Sequence, residues 1–468
     1  VLDSAARRRS IAVMKPFGTR AVTWGLGWAL AWGLGGAALG EDWPQFLGPR
    51  MDATSLETGL FDKLGTNGLP VAWSRRVGTG YSAPSVRGDR VVLFHREGGE
   101  EVVECMGAGD GKTRWRHAYP SRYQDPYGYN NGPRGTPIVT ADRVFTYGAE
   151  GKLTCVELET GRRVWQRDTA ADFTVPEAFF GVGSTPVLEG GRLVVMVGGQ
   201  PNSGVAAFDP ATGKTLWQSV GQANWEGQPM HDWPGGQRVA WRDWEKSASY
   251  SSFRPAEIHG RRMLLTCMRQ GLVALDPADG RVLFSRWFRA RVDDSVNAMT
   301  PLVQGSRVLI SSAYFRSGSV ALDVQPGAAG YVEGWKNLSL EMHWSQPILH
   351  QGHLYGFSGR NEPDAVLRCV DWDKGVVKWE RNERWPKHGG EQPPVFGRGS
   401  FLLADGRLIA LGEGGLLGLF EPDPAQCREV GRWQVPTLHY PCWAGPVLSG
   451  KKLYLRSEDQ LVCLDAKR

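Results

Sequence analysis

The segment that decides the fold is Ala207-Phe-Asp-Pro-Ala-Thr-Gly213-Lys-Thr-Leu-Trp217. In it, a glycine follows a small apolar residue by six positions and an aromatic residue follows by ten. Asp accepts backbone N–H groups, Pro presets φ and Gly takes the left-handed conformation, so the middle of the segment predicts a tight turn. The flanking residues predict two short antiparallel strands. The same spacing recurs in segments that begin at Cys105, Cys155, Ala274 and Cys369.

Three further copies extend the repeat around the chain. Looser versions begin at Ala321 and Leu419, and an eighth begins at Cys463 but has no aromatic residue after it. The segment Val71-Ala-Trp73 lacks the other part of the motif: it has the aromatic residue, but no small apolar residue and glycine precede it at the repeat spacing. Eight copies, roughly fifty residues apart, therefore predict a closed ring of repeats. Closure removes the exposed sheet edges that an open stack would leave.

The predicted fold is all-β. Between successive copies lie further short β-rich runs, as in Thr136-Pro-Ile-Val-Thr and Arg143-Val-Phe-Thr-Tyr, so each repeat predicts a four-stranded antiparallel blade. The sequence thus predicts an eight-bladed β-propeller, closed by pairing of the strand at 71–76 with the strand at 461–465. The chain has 20 Trp, and a buried indole removes about 200 Å² from water. We expect the repeat aromatics to pack between blades, at Trp73, Trp115, Trp165, Trp217, Phe284, Trp335, Trp379 and Trp433.

Composition and charge narrow the function classes. With 41% hydrophobic and 22% charged residues, the 468-residue chain is too apolar for a disordered protein. The net charge of +5 comes mainly from the first forty residues, where Arg7, Arg8, Arg9, Lys15 and Arg20 face only Asp3. The remainder has no basic stripe that could neutralise phosphates, so we expect no nucleic-acid partner.

The beginning of the sequence resembles a secretory leader. An uncharged run at 21–40 follows the basic stretch and ends in small residues, which predicts a signal peptide at 1–40, cleaved after Gly40. A retained membrane anchor is the alternative, and the start could be Val1 or Met14. The expected organisation is then a lead-in segment at 41–70 and a propeller domain at 71–468. We expect a periplasmic or extracellular monomer that is not an integral membrane protein after cleavage.

The repeat motif resembles a known family. Ala/Cys-x-Asp-x-x-Thr-Gly-x-x-x-Trp is similar to the PQQ-like repeat of quinoprotein-alcohol-dehydrogenase-like propellers, over Val71 to Arg468. The segment Asp42-Trp-Pro-Gln-Phe-Leu-Gly-Pro-Arg50 resembles the lead-in of secreted members. This family contains quinone-dependent dehydrogenases as well as non-enzymatic scaffolds, such as the propeller of the outer-membrane assembly machine. The resemblance therefore implies the fold more strongly than a function.

The dehydrogenases of that family typically carry an adjacent Cys-Cys pair against the cofactor, with Glu, Asn and Asp around a calcium ion. The seven cysteines of this chain are nowhere adjacent. We therefore expect no catalytic residue, no metal and no cofactor; PQQ with calcium belongs only to the alternative of a quinoprotein dehydrogenase. Four cysteines occupy the small-residue position of the repeat and are interpreted as buried hydrophobes: Cys105, Cys155, Cys369 and Cys463. Cys427 with Cys442 is the only disulfide considered.

The connections from each aromatic strand to the next Pro-led strand vary in length and are rich in aromatic residues. On a rigid ring they would gather on one face, as a binding surface requires; plugging of the central channel is the alternative. The candidate binding residues are Tyr129, Asn130, Arg134, Trp225, His231, Trp233 and Asn297. The predicted function is a non-catalytic, exported scaffold that binds a protein or a carbohydrate polymer. A dehydrogenase and a carbohydrate-binding propeller remain alternatives.

Overall fold

The protein is an eight-bladed β-propeller in a computed structural model, which confirms the predicted fold class. The structure describes residues 40–175, 180–199, 201–221, 248–290, 295–327, 330–385 and 395–468. The described strands form eight four-stranded sheets. In each of them neighbouring strands run antiparallel, as in the pairing of Cys155 with Trp165. Most of the predicted signal peptide lies in 1–39, outside the described residues.

Seven blades are formed by consecutive strands, and the first strand of each blade is its inner one. Blade 1 has β2 (Ser85–Arg87), β3 (Arg90–Glu97), β4 (Glu100–Gly107) and β5 (Thr113–Pro120). Blade 2 has β6 (Ile138–Val139), β7 (Arg143–Tyr147), β8 (Lys152–Glu157) and β9 (Arg163–Asp168). Blade 3 has β10 (Val187–Glu189), β11 (Arg192–Gly199), β12 (Ser203–Phe208) and β13 (Thr215–Ser219). Blade 4 has β14 (Arg254–Ile258), β15 (Arg261–Met268), β16 (Gly271–Leu275) and β17 (Val282–Trp287).

The remaining blades follow the same order. Blade 5 has β18 (Leu302–Gln304), β19 (Arg307–Ser312), β20 (Gly318–Val324) and β21 (Tyr331–Asn337). Blade 6 has β22 (Ile348–His350), β23 (His353–Ser358), β24 (Val366–Asp371) and β25 (Val377–Asn382). Blade 7 has β26 (Ser400–Ala404), β27 (Arg407–Leu411), β28 (Leu416–Glu421) and β29 (Arg428–Gln434). The helical segments among the described residues are one turn each, at Thr169–Asp172, Tyr314–Arg316 and Glu362–Asp364.

Blade 8 joins the two ends of the propeller, as the sequence predicted. Its strands are β30 (Val447–Ser449), β31 (Lys452–Arg456), β32 (Gln460–Asp465) and β1 (Val71–Arg76). Trp73 of β1 pairs with Cys463 of β32. The Asp465 amide donates to the Pro70 carbonyl at 2.8 Å, which is the bond that closes the repeat turn of other blades. The turn that is continuous elsewhere is thus completed in blade 8 by two distant segments.

The repeat aromatics connect one blade to the next. The indole N–H of Trp73 donates to the Ala108 carbonyl in the turn of blade 1 at 3.0 Å. Its ring covers Gly111 of that turn, where a Cβ would lie 2.7 Å from the indole and where φ is +66°. Only glycine meets both demands without strain. Trp73 and Trp115 are buried, whereas the other six repeat aromatics are half-buried.

The lead-in segment has a role that its sequence did not reveal. It crosses the inner strands of several blades and bonds to each one. Trp43 pairs with Val86 of blade 1, and the Pro44 carbonyl accepts from Val139 of blade 2 at 2.8 Å. Farther along, the Ala53 carbonyl accepts from Leu403 of blade 7 at 2.9 Å. The lead-in therefore closes one end of the central channel.

Candidate binding cavity

One position of the repeat faces the axis of the ring in every blade. In blade 1 it is Tyr81, three residues before Pro84, and Pro84 immediately precedes the inner strand. The strand register defines its equivalents: Ser85 pairs with Val92, which pairs with Cys105 of the motif. We call these eight residues the axial residues: Tyr81, Arg134, Gly183, Tyr250, Ala298, Trp344, Arg398 and Trp443. All of them line a single cavity of about 200 Å³.

Other segments complete the walls of this cavity. Phe46 of the lead-in contributes to its lining, and further rings come from Tyr129, Phe180 and Tyr314. Since the lead-in closes the channel on its own side, we take Phe46 as the floor of the cavity. Gly183 has no side chain, and the Tyr250 ring packs directly on it, because a Cβ at Gly183 would lie 2.5 Å from that ring.

The rings of the wall contact one another in a continuous belt. The ring centroids of Tyr81 and Trp443 are 4.8 Å apart, and those of Trp344 and Trp443 are 5.2 Å apart. Tyr129 extends the belt, at 5.5 Å from Trp443 and 5.8 Å from Phe180. These tilted and edge-on arrangements are the favourable geometries for aromatic pairs. The belt is a rigid wall that presents several ring faces and edges.

Arg398 is a cation in this wall, and its charge is matched by buried carboxylates. Its guanidinium donates to Glu413 through Nε at 3.0 Å and through NH2 at 2.7 Å. NH2 also donates to Glu362, and the Arg360 carbonyl accepts from NH1. Burial lowers the pKa of Arg398, but the attraction of Glu413 outweighs it and holds the pKa above its ordinary value. The group stays charged and is saturated by its own neighbours.

Arg134 is held in the same way on the other side of the ring. NH2 donates to Asp125 at 2.7 Å, and the carboxylate of Asp125 is fully buried. The guanidinium stands 5.5 Å from the ring centroids of both Tyr81 and Tyr123. His343 adds no charge, because burial and the nearby Arg398 lower its pKa well below the ordinary value. Each cation that lines the cavity is thus paired with an acid.

From blade 2 to blade 5, the residue just before the inner strand's Pro, or before Phe253 in blade 4, links neighbouring blades. The Thr136 amide donates to the Thr185 hydroxyl at 3.1 Å, and the Thr185 amide donates to the Ser252 hydroxyl at 3.0 Å. The Ser252 amide in turn donates to the Thr300 hydroxyl at 3.1 Å. In blade 6 this position is Gln346, which is 6% exposed and whose side-chain N and O lack a hydrogen-bond partner in the described structure. It borders a smaller cavity of about 50 Å³ that shares Phe46, Trp344 and Trp443 with the larger one.

The structure places only some of the predicted binding residues at the cavity. Tyr129, which is 46% exposed, and Arg134 both line the cavity. Asn130 does not line the cavity, but its backbone N–H donates to the hydroxyl of the lining residue Tyr81 at 3.4 Å. Asn297 was expected on the binding face but is buried, because its side chain donates to the carbonyls of Met268 and Phe288 at 2.9 Å each. Trp225, His231 and Trp233 lie in 222–247, outside the described residues.

Sequence reasoning missed most of the axial residues. It searched the longest connections, whereas Tyr81, Trp344 and Trp443 lie in short stretches before Pro84, Pro347 and Pro446. The available signal was the position three residues before each inner-strand proline. In blades 4 and 7 that proline is replaced by Phe253 and Phe401, so only the strand register reveals Tyr250 and Arg398.

The cysteines and acids of the described residues do not form the site that binds PQQ and calcium in the dehydrogenases. All seven cysteines are free thiols, so the Cys427–Cys442 disulfide considered from the sequence does not form. Cys105, Cys155, Cys369 and Cys463 are fully buried, and burial raises the pKa of Cys105 to about 11. The acids beside the cavity are bound to arginines, and the described residues contain no cluster of His, Cys, Asp and Glu able to hold a metal ion.

Fold and cavity together define an eight-bladed propeller of the quinoprotein-alcohol-dehydrogenase-like type. More particularly, the chain belongs to the family described as outer membrane protein assembly factor BamB, whose profile matches residues 66–217 and 99–381. A curated relative, the quinohemoprotein alcohol dehydrogenase ADH-IIG of Pseudomonas putida, is 26% identical over 156 residues. That match covers 32% of this chain and only 21% of the relative's length.

Solved structures share the fold at low sequence identity. BamB from Moraxella catarrhalis is 14% identical with a TM-score of 0.56, over 85% of this chain and 99% of that one. Quinohemoprotein alcohol dehydrogenase from Comamonas testosteroni is 13% identical with a TM-score of 0.58, over 91% of this chain and 81% of that one. Within the described part of the chain, no helix has both the length and the apolar character that a membrane span requires.

Proposed function

We propose that this protein is a non-catalytic, exported binding propeller that takes part of its ligand into the cavity formed by the axial residues. The observation that carries the proposal is the way the polar groups of the wall are occupied. Arg398 and Arg134 are held by buried acids, and those acids accept further bonds from the protein. Glu413, for example, also accepts from the Trp443 indole at 2.7 Å. Such groups position a wall; they do not exchange protons with a substrate.

The alternative of alcohol oxidation would need a group that takes a proton from the substrate. His343 is the imidazole in the wall, with Nε2 3.3 Å from the Tyr314 hydroxyl and Nδ1 3.3 Å from the Arg398 guanidinium. Its lowered pKa and its two neighbours favour a fixed neutral ring. The belt of contacting rings, closed by the lead-in on one side, instead suits recognition, in which pre-organised aromatic anchors supply affinity.

The experiment is a comparison of cofactor loading with ligand capture on the same purified protein. PQQ and Ca²⁺ are added, and the absorption spectrum and dye-linked alcohol oxidation are recorded. Ligands are captured from the native extracellular and envelope fraction with the unchanged protein and with Ala298→Trp, which fills the cavity from a half-buried wall position. We expect no stable chromophore and no turnover, and capture that is lost in Ala298→Trp. Quinone-dependent turnover, or capture that the filled cavity does not alter, would overturn the proposal.

A further inference from the structure

We infer that the cavity binds the terminal residue of an uncharged carbohydrate chain. This inference rests on the proposed binding function and specifies its ligand. Four features of the cavity lead to it: its paired charges, its ring surfaces, its unpartnered polar atoms and its closure by the lead-in on one side.

The charge of the wall favours an uncharged ligand. The carboxylates of Asp125 and Glu413 are fully buried and face the guanidiniums of Arg134 and Arg398. A ligand carboxylate or sulfate would enter an apolar space without an available counter-charge, and a ligand ammonium would meet two guanidiniums. Transfer of an unpaired charge into such a site costs several kcal/mol or more. A charged ligand is therefore disfavoured relative to an uncharged one.

The ring surfaces favour a ligand with flat apolar faces and polar edges. A pyranose has C–H bonds on its two faces and hydroxyl groups around its rim. The negative face of an aromatic ring attracts such C–H groups, and Tyr129 offers a ring that is 46% exposed at the wall. Trp443 lies at the centre of the belt, in contact with Tyr81, Trp344 and Tyr129.

Trp344 lines the larger cavity and Gln346 borders the smaller cavity beside it, and both side chains carry buried polar atoms that need partners. The indole N–H of Trp344 and the whole side-chain amide of Gln346 have no hydrogen-bond partner in the described structure. Leaving such groups unsatisfied costs about 1–3 kcal/mol each. Hydroxyl groups act as donors and acceptors alike, so a polyhydroxylated ligand in the larger cavity can accept from the Trp344 indole N–H when the wall adjusts around it.

The shape of the cavity favours a chain end. A volume of about 200 Å³ corresponds to about seven waters at ~30 Å³ each, which suits one sugar ring. Phe46 and the lead-in close the far side, so a chain cannot pass through. An internal sugar residue has neighbours on both sides and would need a groove, whereas a terminal residue enters with only one continuation toward solvent.

The test uses isothermal titration calorimetry with defined oligosaccharides. Uncharged linear gluco-, manno-, xylo- and N-acetylglucosamine oligosaccharides are compared with oligogalacturonate, which carries a carboxylate on every residue. We expect at least one uncharged series to bind, with a Kd per chain end that does not change as the chain lengthens. Tighter binding of the acidic series, affinity that rises with chain length, or no binding by any uncharged series would overturn the inference.

Two tyrosines in the same connection provide matched variants. Tyr129→Ala removes a ring that lines the cavity and should raise Kd about tenfold, since ring contacts contribute about 1.4 kcal/mol. Tyr127→Ala removes a ring that is 55% exposed, is absent from the lining and contacts the cavity wall through Phe180, at 5.1 Å between centroids, so it should change Kd much less. Equal effects of the two variants would contradict the placement of the sugar.

The two proposals fail in different ways. If no uncharged oligosaccharide binds but another ligand is captured and is lost in Ala298→Trp, the carbohydrate inference is wrong and the binding function stands. If captured ligands are indifferent to Ala298→Trp, the cavity is not the binding site and both proposals are wrong. Unchanged circular dichroism and melting temperature of Ala298→Trp exclude misfolding, and the exposed Tyr129 provides a second variant that does not disturb the core.

Discussion

The indole N–H of Trp115 in blade 1 donates a hydrogen bond of 2.8 Å to the backbone carbonyl of Leu158 in the turn of blade 2. The bond joins two neighbouring repeats, because Trp115 belongs to one copy of the motif and Leu158 to the next. Trp165 makes the same bond to Pro210, at 3.0 Å. Each blade is therefore stabilised by its neighbour as well as by its own four strands. The contribution of one such bond to the free energy of unfolding can be measured by substitution.

Trp115→Phe keeps a ring over Gly161 but removes the indole N–H. We expect it to lower the free energy of unfolding by about 1 kcal/mol through the lost hydrogen bond, beyond the loss from the smaller ring. Trp217→Phe is the matched control, because the Trp217 indole N–H has no partner in the described structure. Urea denaturation of both variants gives the difference. An equal loss in the two would show that the bond contributes nothing to stability.

The closure of blade 8 onto blade 1 should weaken in acid. Burial raises the pKa of Glu104, but bonds from His95 and Thr113 and the charge of Arg75 on β1 outweigh it and lower the pKa from 4.5 to about 2. Arg75 is 3.0 Å from the carboxylate. A depressed folded-state pKa stabilises the protein above pH 4.5, and this contribution is lost as pH falls toward 2. The melting temperature should fall across that window, and Glu104→Gln should flatten this part of the profile.

Arg398→Met leaves the Glu413 carboxylate buried without its cation. We expect a loss of about 3–5 kcal/mol in the free energy of unfolding, as when one partner of a buried pair is removed. The double variant Arg398→Met/Glu413→Gln removes both charges and should recover much of that loss. Thermal unfolding of four proteins, namely the unchanged chain, Arg398→Met, Glu413→Gln and the double variant, gives the coupling. Simple additivity of the two substitutions would contradict a direct interaction between these residues.

The lead-in should stabilise the ring through Glu57. Its carboxylate accepts from the Gly450 amide at 2.7 Å and the Lys451 amide at 2.6 Å, in the turn between β30 and β31. Glu57→Ala leaves these amides without their partner and should cost about 1–3 kcal/mol. The neighbouring Leu56 is 75% exposed, so Leu56→Ala serves as the control and should leave the melting temperature unchanged. A similar melting temperature for both variants would mean that the lead-in is not part of the folded unit.

The fold was predictable because its determinants are local. The Asp-to-Gly turn and the aromatic residue that follows it lie within eleven positions, and eight copies reveal closure by simple counting. The cavity was less predictable, since its lining depends on which residue of each connection faces the axis. Arg134 could be proposed from sequence, but Arg398 required the register of β26 against β27. Asn297 resembled a binding residue, and only its two carbonyl partners reveal that it fixes the backbone.

The pairing of β1 with β32 also sets an order of events during synthesis. Arg76, at the end of the first strand, lies 383 positions before Asp459, which accepts a hydrogen bond from it. Strand β1 leaves the ribosome before β32 and must therefore wait for it before it has a partner. Until then its free edge can pair with another chain, and closing so long a loop is slow. A chaperone that shields residues 71–76 during translation and export would prevent nascent copies from exchanging strands.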